Sequence, residues 1–164
     1  MSRLLAAAYG LVAGTLFGIS VAMACATPHE AAMFDVAGLK SELMVTALTC
    51  DADAQYDAFV QRFRTILLAD DQELAGYFLH IYGRAGQAAH DAYITNVANR
   101  MSEVGVSEGT DFCRHHLILF PEVLALGSPA KLALFAATRG YVEPIAPPSC
   151  AIIAADPRST TARR

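Results

Sequence analysis

Apolar residues recur along this chain at intervals of three and four, with almost no strict alternation, the period of helices rather than strands. In MFDVAGLKSELMVTALTC, Val36, Leu39, Leu43 and Cys50 fall on one face. Asp51-Ala52-Asp53 then offers an acidic N-cap and a favourable charge for the next helix. That helix has the clearest stripe. Tyr56, Phe59, Val60, Phe63, Ile66 and Leu67 share a face, with Asp57, Gln61, Arg62 and Arg64 mostly opposite. Asp70 and Asp71 predict a fresh start, with Leu74, Tyr77, Phe78 and Ile81 as its apolar face. Gly83 and Gly86 mark a break or bend. Ile94, Val97, Met101 and Val104 form a further stripe ending near Gly105.

Beyond Gly109, Thr110 or Asp111 is placed to cap a helix through Leu117, Phe120 and Leu124, which Pro121 should kink or divide. Ser128-Pro129 predicts another start, a hydroxyl cap followed by proline in the first turn, with Leu132, Phe135 and Ala136 facing the core. Gly140 is the expected stop. No internal repeat is visible. The pattern predicts an all-α fold, a compact bundle of about five to seven short helices across residues 27–142. The stretch 143–164, rich in Pro, Ala, Ser and Thr and ending in two arginines, reads as a flexible tail.

The first 26 residues change where this domain is expected to reside. One arginine, Arg3, precedes a long apolar run ending in Ala22-Met23-Ala24 and Ala24-Cys25-Ala26, both small-x-small cleavage patterns. A cleaved export signal over residues 1–26 is the expectation, with the cut after Ala24 or Ala26. Residues 4–24 are also long enough for an uncleaved membrane anchor. Cys25 is the acceptor in a lipoprotein reading, although Ala22 stands where such signals usually carry leucine. Each reading takes the domain out of the cytoplasm, to the periplasm or beyond, where disulfides persist.

The cysteines follow from the compartment. Cys50 ends the first stripe on its buried face, and Cys113 stands in line with Leu117, Phe120 and Leu124. A Cys50–Cys113 disulfide is expected, although four cysteines allow three pairings. If the chain is cut after Ala26, Cys150 is left odd; if after Ala24, Cys25 and Cys150 can pair.

Charge narrows the partners. The formal net charge is -4, and Arg3 is the only charged residue before Glu30, so the exported part is slightly more acidic still. A mildly acidic chain without a basic stripe excludes nucleic acid as a natural partner. With no Trp, it also lacks a base-stacking platform.

Four residues remain as functional candidates: His90, Asp91, His115 and His116. Cys113, His115 and His116 suggest a metal site, but on one helix they supply at most two ligands where zinc takes three or four. No second C-x-x-C, H-x-x-x-H or H-E-x-x-H segment completes it. No metal or cofactor is therefore expected. His116 reads as a core-boundary residue and His115 as a surface one. The His90-Asp91 pair, with Tyr93 nearby, resembles the helical His-Asp of secreted phospholipases A2. That likeness implies a histidine base acting on water beside calcium. The cysteines that flank that motif and a Gly-rich calcium loop are absent here. His90 also fits as an extension of the Ile94 stripe, with Asp91 solvated. The acid pairs Asp51/Asp53 and Asp70/Asp71 read as helix caps rather than calcium ligands. The serines lack a G-x-S-x-G or S-x-x-K setting.

No catalytic set emerges. The expectation is an exported, non-enzymatic domain with a binding, structural or stress-protective role in the cell envelope. Its partner would be a protein, an envelope component or a small apolar ligand. A small hydrolase using His90 or His116 as base, and a membrane-tethered accessory subunit of an envelope complex, are the alternatives.

Overall fold

The computed structural model describes residues 26–147, and among them the regular elements are helices, with no strand. Three long helices carry the fold: α1 (Pro28–Cys50), α2 (Asp53–Tyr82) and α3 (Gly86–Glu108). Three short ones follow, α4 (Phe112–His116), α5 (Leu119–Leu124) and α6 (Leu132–Ala137), with single 3-10 turns at Gly83–Ala85, Gly109–Asp111 and Pro129–Lys131. The export segment through Cys25, and with it the pairing of Cys25 and Cys150, lies outside the described residues. No helix among the described residues is long and apolar enough to cross a membrane.

α1 starts five residues before the stripe that announces it. Thr27 caps it: its hydroxyl accepts from the Glu30 N–H at 3.3 Å, and its own N–H donates to Glu30 Oε2 at 2.7 Å. This reciprocal box, with Pro28 in the first turn, satisfies donors that a helix start leaves open. The helix is buried around most of its circumference from Met33 and Phe34 to Ala47, with Lys40 and Met44 only partly covered. It is the central rod, packed against α2, α3, α4 and α6. The single face of Val36, Leu39 and Leu43 is therefore only part of its buried surface.

The start expected at Asp70 and Asp71 does not occur. α2 runs unbroken for 30 residues, about 45 Å. No proline interrupts this stretch, its one glycine, Gly76, is accommodated within the helix, and aspartate inside a helix costs only about 0.7 kcal/mol relative to alanine. Tertiary packing outweighs that cost, because Phe59, Phe63, Leu67, Leu74 and Phe78 form one continuous buried stripe. Phe59 and Phe63 are fully buried, each contributing about 1.5–3 kcal/mol of transfer free energy.

The break expected at Gly83 and Gly86 is present. Gly83 has φ 55°, and its N–H returns to the Leu79 carbonyl. A Cβ on Gly86 would stand 2.6 Å from the Leu79 backbone, so glycine permits the close turn of α3 onto α2. Pro121 divides the next run as its missing N–H requires. The Leu117 carbonyl accepts instead from the Phe120 N–H at 3.3 Å, and the chain turns between α4 and α5. Ser128 opens the following element, but its hydroxyl makes no capping bond. Neither Thr110 nor Asp111 supplies a side-chain cap to α4.

Packing crosses the boundary expected at residue 142. Tyr141, Ile145 and Ala146 lie against α1, with Ile145 and Ala146 buried. Gly38 makes the room, since a Cβ there would meet Ile145 Cγ2 at 2.8 Å and the Tyr141 ring at 2.9 Å.

Candidate functional site

Cys50 and Cys113 are bonded, joining the last residue of α1 to the first turn of α4. That bond sets the register of α4 on α1. One turn further on, His116 is buried and its Nδ1 lies 2.7 Å from Glu42 Oε1. His116 also stacks on Phe112, with ring centroids 4.3 Å apart.

Glu42 is 3% exposed and is the hub of a polar network inside the bundle. Arg139 Nη2 donates to its Oε1 at 3.1 Å, and the Tyr141 hydroxyl donates to its Oε2. A buried carboxylate survives when paired and fully hydrogen-bonded, and Glu42 has a cation, a phenol and an imidazole. Burial pushes the Tyr141 hydroxyl well above the usual phenol range, and the Glu42 charge adds to it. Burial works against the Arg139 charge, but Glu42 outweighs it and holds the guanidinium more firmly protonated.

The outer end of the network is Glu108, at the close of α3. It meets His115 Nδ1 at 2.8 Å and His116 Nε2 at 3.4 Å. Its carboxyl is held below the usual range, chiefly by the His115 hydrogen bond. Both nitrogens of His116 thus face carboxylate oxygens, and no lone pair is left pointing at open space. This arrangement ties α1, α3, α4 and the segment after α6 together. It offers no free base to a substrate.

His90 and Asp91 are adjacent in sequence but do not form a dyad. His90 is 8% exposed and packed against Phe78, and its Nε2 has no hydrogen-bond partner among the described residues. Its Nδ1 is 4.0 Å from Asp91, whose Oδ1 instead accepts from Gln87 Nε2 at 2.9 Å. Among the described residues, no group of three or more His, Cys, Asp or Glu is arranged to hold a metal ion.

Clefts also open on the surface of the bundle. A cleft of about 70 Å³ is bounded by Ala37, Lys40, Ser41 and Met44 of α1, Leu67, Asp70, Asp71 and Leu74 of α2, and Ile94 and Val97 of α3. Ile94, expected in the core, borders this opening and is 38% exposed. On α2 the spacing Phe63, Leu67, Asp70, Leu74, Phe78 puts Asp70 at a core position of the stripe. A carboxyl stands where a leucine would close the cleft.

Asp70 has neither a hydrogen-bond nor an ion-pair partner among the described residues. Lys40 is the cation acting on it, but its ammonium sits 3.7 Å from Asp71 instead. Burial, reinforced by Glu73, pushes the Asp70 carboxyl up to about 7. Beneath it, Ser41 is buried and its hydroxyl is unpartnered. Thr46, on the same helix, shows the usual alternative, donating to the Glu42 carbonyl one turn back at 2.7 Å. The cleft therefore combines apolar walls with two unpaired polar groups.

Sequence reasoning singled out the histidines and passed over Glu42, Ser41, Arg139 and Tyr141. Asp70 was read as a cap, although its place in the Phe63–Phe78 stripe was a usable signal. Among the described residues the arrangement defines a small all-helical, disulfide-stapled domain with an internal ion network and an apolar cleft between its three long helices. The chain matches no family model, no curated protein and no solved structure.

Proposed function

We propose that this chain is an exported helical domain that acts by binding rather than turnover, with the cleft between α1, α2 and α3 as its ligand site. The observation that carries this reading is Asp70, an unpaired carboxyl at a core position of an apolar stripe. Local rules of helix packing are broken where function requires it, and perturbed carboxyls in clefts mark such places. The cleft, at about 70 Å³, suits a small molecule or a single side chain, since sites for drug-sized ligands begin near roughly 300 Å³.

Export rests on the residues 1–26 pattern and agrees with the Cys50–Cys113 bond. The hydrolase reading draws less support. His116 is committed on both ring nitrogens, and His90 is walled in against Phe78.

A fragment titration followed by NMR tests the proposal. Small amphipathic fragments should shift the signals of Met44, Leu74, Ile94 and Val97, and Asp70→Leu, which completes the stripe, should abolish those shifts. His90→Ala and His116→Ala should bind as wild type does. Shifts that collect elsewhere, or binding that survives Asp70→Leu, would overturn the assignment.

A further inference from the structure

Resting on the reading of the cleft as a binding site, we infer that its ligand is a protonated primary amine on a short apolar stem, with Asp70 as counter-ion and Ser41 as second contact.

The chemistry of the lining selects among ligands. Ala37, Met44, Leu67, Leu74, Ile94 and Val97 form apolar walls that suit an alkyl stem. A hydrated divalent ion would find three oxygen-bearing side chains in the lining, Ser41, Asp70 and the Lys40-paired Asp71, where calcium takes about six to eight oxygens. Anions are disfavoured, because Asp70, Asp71 and Glu73 outnumber Lys40, which is already paired with Asp71. A neutral alcohol fills the space but leaves the carboxylate uncompensated. An ammonium cancels that charge and carries three N–H donors, and the lining offers two unpartnered acceptors, the Asp70 carboxylate and the Ser41 hydroxyl. The volume of about 70 Å³ suits a stem of a few carbons.

Binding should then follow the ionisation of Asp70. The groups facing it are Lys40 from α1, Asp71 and Glu73 on α2, and Tyr93 from α3. Lys40 favours the charged form and is outweighed by burial and the two acids, so Asp70 changes charge near neutral pH. An alkylammonium remains protonated throughout that range.

The experiment titrates n-butylammonium, n-butanol and butyrate into the domain and into Asp70→Asn, following the signals of Met44, Leu74, Ile94 and Val97 between pH 5 and 8.5. The inference expects n-butylammonium to bind tightest of the three. Its affinity should be level above about pH 8 and fall about tenfold per pH unit below the ionisation of Asp70. Asp70→Asn should weaken it at least about tenfold at pH 8. Ser41→Ala gives a second reading on a fully folded background, weakening the amine by a few-fold. If n-butanol binds as well as the amine, or the amine is indifferent to Asp70→Asn, the ligand class is wrong while the cleft stands as a site. If no probe moves those four signals, the site and the inference fall together. Nα-acetyl-lysine methylamide, run beside n-butylammonium, separates the sources of this chemistry. Tighter binding assigns the ammonium to a lysine side chain, and weaker binding to a free amine.

Discussion

Replacing Asp70 by asparagine should make this domain more stable above neutral pH and leave it nearly unchanged in mild acid. The folded-state carboxyl titrates near 7, against an ordinary value of 3.8, because burial disfavours the charged form. A carboxyl whose folded value is raised holds its proton more tightly in the native state. Native stability therefore declines as pH rises from about 4 to about 7 and is level beyond. About three pH units at about 1.4 kcal/mol each give a ceiling near 4 kcal/mol. Solvent reaching a half-buried carboxyl at an open cleft reduces this to about 2 kcal/mol. Asparagine keeps the shape and never ionises, so the variant avoids that loss. For a domain of this size, about 2 kcal/mol corresponds to roughly 8 °C in Tm. Urea unfolding at half-unit steps from pH 4.5 to 8.5, followed by far-ultraviolet circular dichroism, compares the two proteins. Wild type should fall away from Asp70→Asn as pH rises through 6 and 7. Parallel profiles across the whole range would show that Asp70 is well solvated, and the reasoning about the cleft would fail.

Three further outcomes follow from the packing. Glu42→Ala removes the hub from Arg139, His116 and Tyr141 and should cost about 3–5 kcal/mol in urea unfolding. Glu42→Gln, which retains an acceptor, should cost less. Opening the Cys50–Cys113 bond releases a sequence separation of 63 residues, worth about 4 kcal/mol on the chain-entropy model. Denaturation with and without reductant measures it, and an unchanged midpoint would contradict the bond. Gly38→Ala puts a methyl group 2.8 Å from Ile145 and should destabilise by about 1–3 kcal/mol. Faster hydrogen exchange should accompany it at residues 141–146.

What could be read from the chain in advance was whatever depends on near neighbours. The stripe through Phe59 and Phe63, the break at Gly83, the division before Pro121 and the start at Ser128-Pro129 each follow from a few adjacent residues. The Cys50–Cys113 pairing was also accessible, because both cysteines continue buried stripes. Glu42 was not, since a glutamate off the Val36–Leu43 face gives no sign of burial until α1 is known to be packed against four other helices. Its partners Arg139 and Tyr141 come from about a hundred residues further along, and no local pattern connects them. Asp70 failed for a different reason. An acidic pair resembles a helix start, and that local meaning masked its position in a longer stripe.

The central placement of α1 has a consequence for how the molecule comes into being. Synthesis runs from the N-terminus, so the central helix is among the first parts made. Among the described residues, its last neighbours in sequence are Tyr141, Ile145 and Ala146. At ribosomal rates of about 5–20 residues per second, α1 spends roughly 5 to 20 s without them. Over that interval Glu42 has neither Arg139 nor Tyr141 to pair with. In the nascent chain Glu42 is hydrated instead, and it exchanges water for Arg139, His116 and Tyr141 only as the later segments pack. The native state closes only when the two ends of the domain meet over Gly38.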